Sequence, residues 1–224
     1  MSVWAVLVAA GRGERLGDDR PKAFARLGEL PLLAEPLRRL DESSWVDEIV
    51  VVAPSEWEEP AILLAEEIGA SKVSACVSGG ATRTESVRAG VAEVPEDAAV
   101  IVVHDAARPL LPEDVLERVI AALGEGYDGA IPGLPIVDTV KRVRDGAVVE
   151  TVSRDGLVFV QTPQAFVAPV LRAALTPLSD STQSATDCAA LVERNGGRVT
   201  VVAGDERLLK VTTRADLERV AAWL

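Results

Sequence analysis

Val100-Ile101-Val102-Val103-His104-Asp105 decides the architecture. Its first residues are branched and apolar without polar alternation, as a strand requires when both faces of its sheet are covered. Working outward from this strand (100–104), similar short apolar runs occupy residues 3–8, 48–53, 73–77, 129–131, 158–161 and 198–202. Segments of helical period fall at 31–40, 56–68, 84–94, 112–123, 185–194 and 214–224. Pro112 followed by Glu113 and Asp114 suits a helix start, and Gly69 after Ile68 suits a helix end. Strands alternating with helices through short connections predict a Rossmann-like, doubly wound α/β fold with a mostly parallel sheet. Ligands of such sheets gather at the carboxyl ends of the strands.

The chain has 224 residues, which predicts a single domain spanning 1–224. Asp and Glu number 35 against 23 Lys and Arg, a formal net charge of −12. So negative a field disfavours nucleic acid and membrane surfaces as partners, while an anionic small molecule needs locally concentrated cations. Cys76 and Cys188 are far apart and show no metal-like spacing. Without a cysteine framework or a secretory leader, the expected compartment is the cytoplasm. The apolar runs are strand-sized, well short of the ~20 residues of a membrane span.

Residues 138–154 break the alternation. Two runs flank Asp145-Gly146, a two-residue hairpin turn of the primed type, and Val140, Val143, Val148 and Val152 are apolar in an otherwise charged ribbon. An isolated ribbon is marginal in water, so this protruding two-stranded β-arm must pack on something. A second subunit, giving a homodimer, is the economical partner; folding back on its own domain is the alternative.

The first strand runs into Ala9-Ala10-Gly11-Arg12-Gly13-Glu14-Arg15-Leu16-Gly17. Small residues there allow backbone N–H groups to approach phosphate oxygens. Arg12, Arg15, Arg20, Lys22 and Arg26 reverse the local field of an acidic chain. No Walker A pattern is present. The dinucleotide fingerprint also fails, because Leu16 stands where its third glycine belongs. Taken alone, the loop fits either an anion site or a tight turn with solvated arginines. Asp105, at the carboxyl end of its strand, suits either a Mg²⁺ ligand or a turn cap. His104, the sole histidine, stands at a strand end and reads as structural, the commoner fate of a lone histidine there.

Ala9-Ala10-Gly11-x-Gly13-x-Arg15 with Pro21-Lys22 resembles the signature of nucleotidyltransferases that activate sugar or polyol phosphates. The segments Gly79-Gly80-Ala81-Thr82-Arg83-x-x-Ser86-Val87, His104-Asp105-Ala106-Ala107-Arg108-Pro109 and Thr162-Pro163-Gln164 narrow the likeness. With Asp138-Thr139-Val140-Lys141, Thr186-Asp187 and Leu209-Lys210-Val211-Thr212 in order, the chain closely resembles the 2-C-methyl-D-erythritol 4-phosphate cytidylyltransferases along its whole length. Val8, where some members carry Pro, Ala81, where an acidic residue is often found, and Cys188 depart from the pattern.

The resemblance implies CMP transfer from CTP to a polyol phosphate with release of pyrophosphate, on the non-mevalonate isoprenoid route. It implies that Arg15 and Lys22 stabilise the transition state. The Ala9, Ala10, Gly11 and Gly13 backbone would bind CTP, with Gly79, Gly80 and Ser86 at the cytosine and ribose. Asp105 would serve CTP and Mg²⁺. The polyol phosphate would meet Arg108, Thr186 and Lys210, and from the arm Thr139 and Arg154; Arg154 and Lys210 would orient the attacking phosphate. The arm would cross to the partner subunit. A cytidylyltransferase for another polyol phosphate, such as ribitol 5-phosphate, and a non-catalytic nucleotide sensor are the competing readings. Cys188 is expected to be a buried or partly buried helix residue and not a nucleophile.

Overall fold

The computed structural model describes residues 2–11, 20–176 and 185–224. In chain order it places β1 (Val3–Val8), the short hairpin β2 (Arg26–Leu27) and β3 (Leu30–Pro31), α1 (Ala34–Glu42), β4 (Glu48–Ala53) and α2 (Glu58–Glu67). Next come β5 (Val73–Ser78), α3 (Arg83–Ala92), β6 (Val100–Asp105), α4 (Glu113–Leu123) and β7 (Gly129–Pro135). The arm is β8 (Val140–Arg144) and β9 (Ala147–Val152). After it follow β10 (Val158–Val160), β11 (Gln164–Val167), α5 (Ala168–Leu175), α6 (Cys188–Arg194), β12 (Val199–Ala203) and α7 (Arg214–Ala221).

The central sheet runs β10-β7-β11-β6-β1-β4-β5, with β12 also paired to β7. β1 pairs in parallel with β4 and β6, β4 with β5, and β7 with β12; β10 and β11 run antiparallel to their neighbours. The unalternating strands are explained by burial on both faces. Val100 and Val102 of β6 join a core with Leu37, Leu64 and Val119 of α1, α2 and α4. Ile101 and Val103 join the opposite core with Val87, Leu171 and Val192 of α3, α5 and α6. No helix among the described residues is long and apolar enough to cross a membrane.

Several predicted boundaries move. The strand at 129–131 extends to Pro135, that at 158–161 stops at Val160, and Asp105 belongs to β6. The helix predicted from 31 begins at Ala34, because Leu30 and Pro31 pair with Leu27 and Arg26. The one predicted from 185 begins at Cys188, where the Asp187 side chain accepts from Ala190 N–H and caps it. β11 and α5 are additions to the predicted elements, being short and running directly from one into the other.

The arm forms as read. Asp145 and Gly146 both have positive φ, 49° and 79°, the requirement of a type I′ turn. Val140 faces Val152 and Val143 faces Val148 across the ribbon, which forms a sheet of its own. It does not fold back on its own sheet: Val143 and Val148 are 57% and 62% exposed.

Candidate active site

The chain passes from β1 outward to β4 and β5, then returns to β6 on the other side of β1. The reversal opens a crevice above the carboxyl ends of β1 and β6, where Val8 is in register with Asp105. Ala9, Ala10, Gly11, Lys22, Gly80, Ser86, Asp105 and Lys210 all line this cavity of about 290 Å³. Gly13 and Arg15 lie outside the described residues.

One wall is the Gly79-Gly80 turn into α3. Thr82 caps that helix, its hydroxyl accepting from Glu85 N–H while the Glu85 carboxylate accepts from Thr82 N–H. Ser86 Oγ accepts from Gly80 N–H at 3.1 Å and donates to Thr82 O at 2.9 Å, which fixes the turn. A Cβ on Gly79 would stand 2.2 Å from Ala10 Cβ and 2.8 Å from Ser86 Oγ, so only glycine lets the two loops approach so closely.

The floor is Asp105. Its Oδ1 accepts from Arg83 Nε at 3.0 Å and Nη2 at 2.9 Å, and its Oδ2 accepts from Lys210 Nζ at 2.7 Å. Burial alone would raise this carboxyl, but Arg83 and then Lys210 pull it far below the ordinary range, so it is ionised. Burial lowers the affinity of the Arg83 guanidinium for its proton, and Asp105 together with Cys188 more than reverses this. Arg83 Nη1 also reaches Cys188 Sγ at 3.5 Å. Cys188 is buried at the start of α6, the helix position expected of it, and burial pushes its thiol up. Lys22 Nζ donates to Val211 O at 3.0 Å, tying the first loop to the stretch of chain that carries Lys210.

Among the described lining residues, Lys22, Arg83 and Lys210 oppose one carboxylate, Asp105. No group of three His, Cys, Asp or Glu among the described residues gathers to cage a metal by itself. Magnesium does not ask for one, since it takes one or two carboxylates together with substrate phosphates. Asp105 Oδ2 accepts a hydrogen bond from Lys210 and a carboxylate oxygen has two acceptor positions, so the donor set fits Mg²⁺ bound jointly with a phosphorylated ligand.

The remaining predicted residues sit elsewhere. Arg108 is not in the lining: Nη1 donates to Leu208 O at 2.6 Å and Nη2 to Val160 O at 3.4 Å, while Nε is buried without a partner among the described residues. Thr186 is exposed on the turn before α6. Thr139 is exposed at the base of the arm, and Arg154, at its other root, donates to Val137 O. The sequence reading missed Arg83 as the partner of Asp105, although the residue stands inside a quoted motif beside the Thr82 cap. It also left His104 unlinked to Thr162. His104 is fully buried and driven down to about 4 chiefly by that burial, so the imidazole is neutral at pH 7.

Cations facing a small-residue loop at the switch point of a doubly wound sheet define an anion-handling α/β protein. Residues 3–224 match the family model described as 2-C-methyl-D-erythritol 4-phosphate cytidylyltransferase, and the chain belongs to that family. It is 46% identical to the protein of that name from Nocardia farcinica over 217 residues, 96% of this chain and 91% of that one. Identity to the one from Saccharopolyspora erythraea is 45% over 228 residues, covering 100% of both. The fold is similar to the crystal structure of the Thermus thermophilus enzyme of that name, with a TM-score of 0.80, 30% identity, and coverage of 97% and 96% of the two chains. It is also similar to the Francisella tularensis structure, with a TM-score of 0.85, 26% identity and full coverage of both.

Proposed function

We propose that the chain transfers CMP from CTP to 2-C-methyl-D-erythritol 4-phosphate, giving 4-diphosphocytidyl-2-C-methyl-D-erythritol and pyrophosphate in non-mevalonate isoprenoid synthesis. A phosphate oxygen of the polyol attacks the α-phosphorus of CTP. The new P–O bond forms as the bond to the β-phosphate breaks, and its electrons leave on pyrophosphate. Both reactants are anions that repel one another, so positioning and charge neutralisation are the protein's main tasks.

The observation that carries this reading is the Arg83–Asp105–Lys210 cluster, with Lys22 on the same crevice. CTP lies along the backbone of Ala9, Ala10, Gly11 and Gly13, with its base and ribose at Gly79, Gly80 and Ser86. Lys22 and Arg15 meet the α-phosphate and triphosphate. Lys210 turns from Asp105 to the incoming phosphate, while Arg83 stays on Oδ1 and keeps the carboxylate compensated. Arg108 and Thr186 complete the polyol subsite with Thr139 and Arg154 of the partner subunit, in a homodimer joined through the arm. Asp105 and phosphate oxygens would hold Mg²⁺, which neutralises triphosphate charge when bound. The whole of 1–224 acts as one domain, in the cytoplasm.

A pyrophosphate-release assay with CTP, ATP, GTP or UTP against 2-C-methyl-D-erythritol 4-phosphate and ribitol 5-phosphate tests the reading. Release with CTP and the first polyol phosphate supports it. A preference for ribitol 5-phosphate, or CTP binding without release, overturns it.

A further inference from the structure

His104, the sole histidine, has no role in the chemistry above, yet both its ring nitrogens are committed. Nε2 lies 3.0 Å from Arg108 O, and Nδ1 lies 3.0 Å from Thr162 Oγ1. A carbonyl oxygen only accepts, so Nε2 carries the proton and Nδ1 is the acceptor. Thr162 must then donate to Nδ1, and its oxygen accepts from Asp105 N–H at 3.0 Å. The network therefore has one consistent direction: Asp105 N–H to Thr162, Thr162 to Nδ1, and Nε2–H to Arg108 O. Arg108 N–H donates to Asp105 O at 2.9 Å and closes the turn. Every member is satisfied, the condition under which a buried polar network specifies one geometry.

We infer that His104 is a positioning residue for the polyol-phosphate half of the site. As the Nε2–H tautomer it ties the end of β6, the Asp105–Arg108 turn and the Thr162 segment into one unit. Arg108 and the Asp105 carboxylate that holds Lys210 project from that unit, so the inference rests on the roles proposed for them. The nucleotide side is anchored independently. Ala9 N–H donates to Val52 O, Gly79 N–H to Ala53 O and Ala106 N–H to Val8 O, none of them through the imidazole. Asp105 also serves CTP through Mg²⁺ in the proposed reading, so loss of His104 should fall more heavily on the polyol phosphate, through Arg108 and Lys210, than on CTP.

Because the chain has one histidine, ¹⁵N NMR of the ligand-free protein at pH 7 reads its tautomer directly. A neutral ring protonated on Nε2 is expected; a ring protonated on Nδ1 overturns the inference whatever the enzyme does. In the kinetic arm, His104→Asn keeps an acceptor near Nδ1 but cannot reach Arg108 O, and Thr162→Val deletes the central hydroxyl. Each should raise KM for the polyol phosphate about fivefold or more, the scale of one or two lost hydrogen bonds, while KM for CTP rises clearly less. The double variant should be no worse than the more affected single, and His104→Gln, whose amide N–H approximates Nε2–H, should recover part of the loss. Equal rises in both KM values, or an unchanged polyol KM in folded Thr162→Val, overturn the inference. Wild-type turnover in the same assay separates the two ideas: without it the proposed function fails, and with it unchanged variants sink only the role of His104.

Discussion

Arg83 and Lys210 hold the same carboxylate, and the structure predicts unequal consequences for removing them. The Arg83 and Asp105 side chains are 22% and 8% exposed, and Arg83 places two N–H groups on Oδ1. Breaking a buried pair by deleting one member costs about 3–5 kcal/mol, because the survivor is an uncompensated charge. Lys210 still partners Asp105 in Arg83→Met, so the lower end applies, about 3 kcal/mol. For a chain of this size that is a fall in Tm of about 6–12 °C. Lys210 is 41% exposed and leaves the Arg83 pair intact when removed. Lys210→Ala should thus cost at most about 1 kcal/mol, or about 0–4 °C. Adding Asp105→Asn to Arg83→Met removes the stranded charge and should restore half or more of the loss. Thermal melts of the ligand-free variants at pH 7, followed by far-ultraviolet circular dichroism, measure all of this. A Lys210→Ala shift as large as that of Arg83→Met, or a double variant worse than the single, refutes the division into a permanent and a releasable cation.

Three further outcomes follow from the same geometry. The folded-state value of His104, about 4, lies below its ordinary 6.5, so the unfolded chain takes up that proton first and stability is lost as pH falls through this window. Between pH 7 and 5 the wild type should lose about 2 kcal/mol more than His104→Asn by urea titration, and equal losses contradict the assignment. Chelation with EDTA should abolish pyrophosphate release and added Mg²⁺ should restore it; full activity in EDTA argues against a metal at Asp105. Mixed Lys22→Ala and Arg154→Ala chains should regain activity by forming hybrid dimers with one intact site. No recovery despite demonstrated subunit exchange counts against a shared site.

The layered fold is legible because burial on both faces leaves an unmistakable mark: Val100 to Val103 alternate between two cores, so none can be polar. The Asp145-Gly146 turn is equally legible, since few residue pairs accept two positive φ values. α5 is not, because eight residues sharing a boundary with β11 carry too little periodicity to stand apart from a strand. In the site, the small residues of both loops are readable from the close approach they permit. Which cation meets which carboxylate is not, because Arg83 and Lys210 stand 22 and 105 residues from Asp105 in sequence and reach it only through the switch in strand order. The link between His104 and Thr162 is hidden for the same reason, at a separation of 58 residues.

Cations gathered on one crevice of an acidic molecule matter only if they drive the reaction there. Single-turnover release of pyrophosphate, with CTP and 2-C-methyl-D-erythritol 4-phosphate both saturating, should fall about a hundred- to thousandfold in Lys22→Ala and again in Lys210→Ala, each still folded. Rates within about threefold of the wild type in both variants would show that neither charge stabilises the transition state, and the account of this site would be wrong.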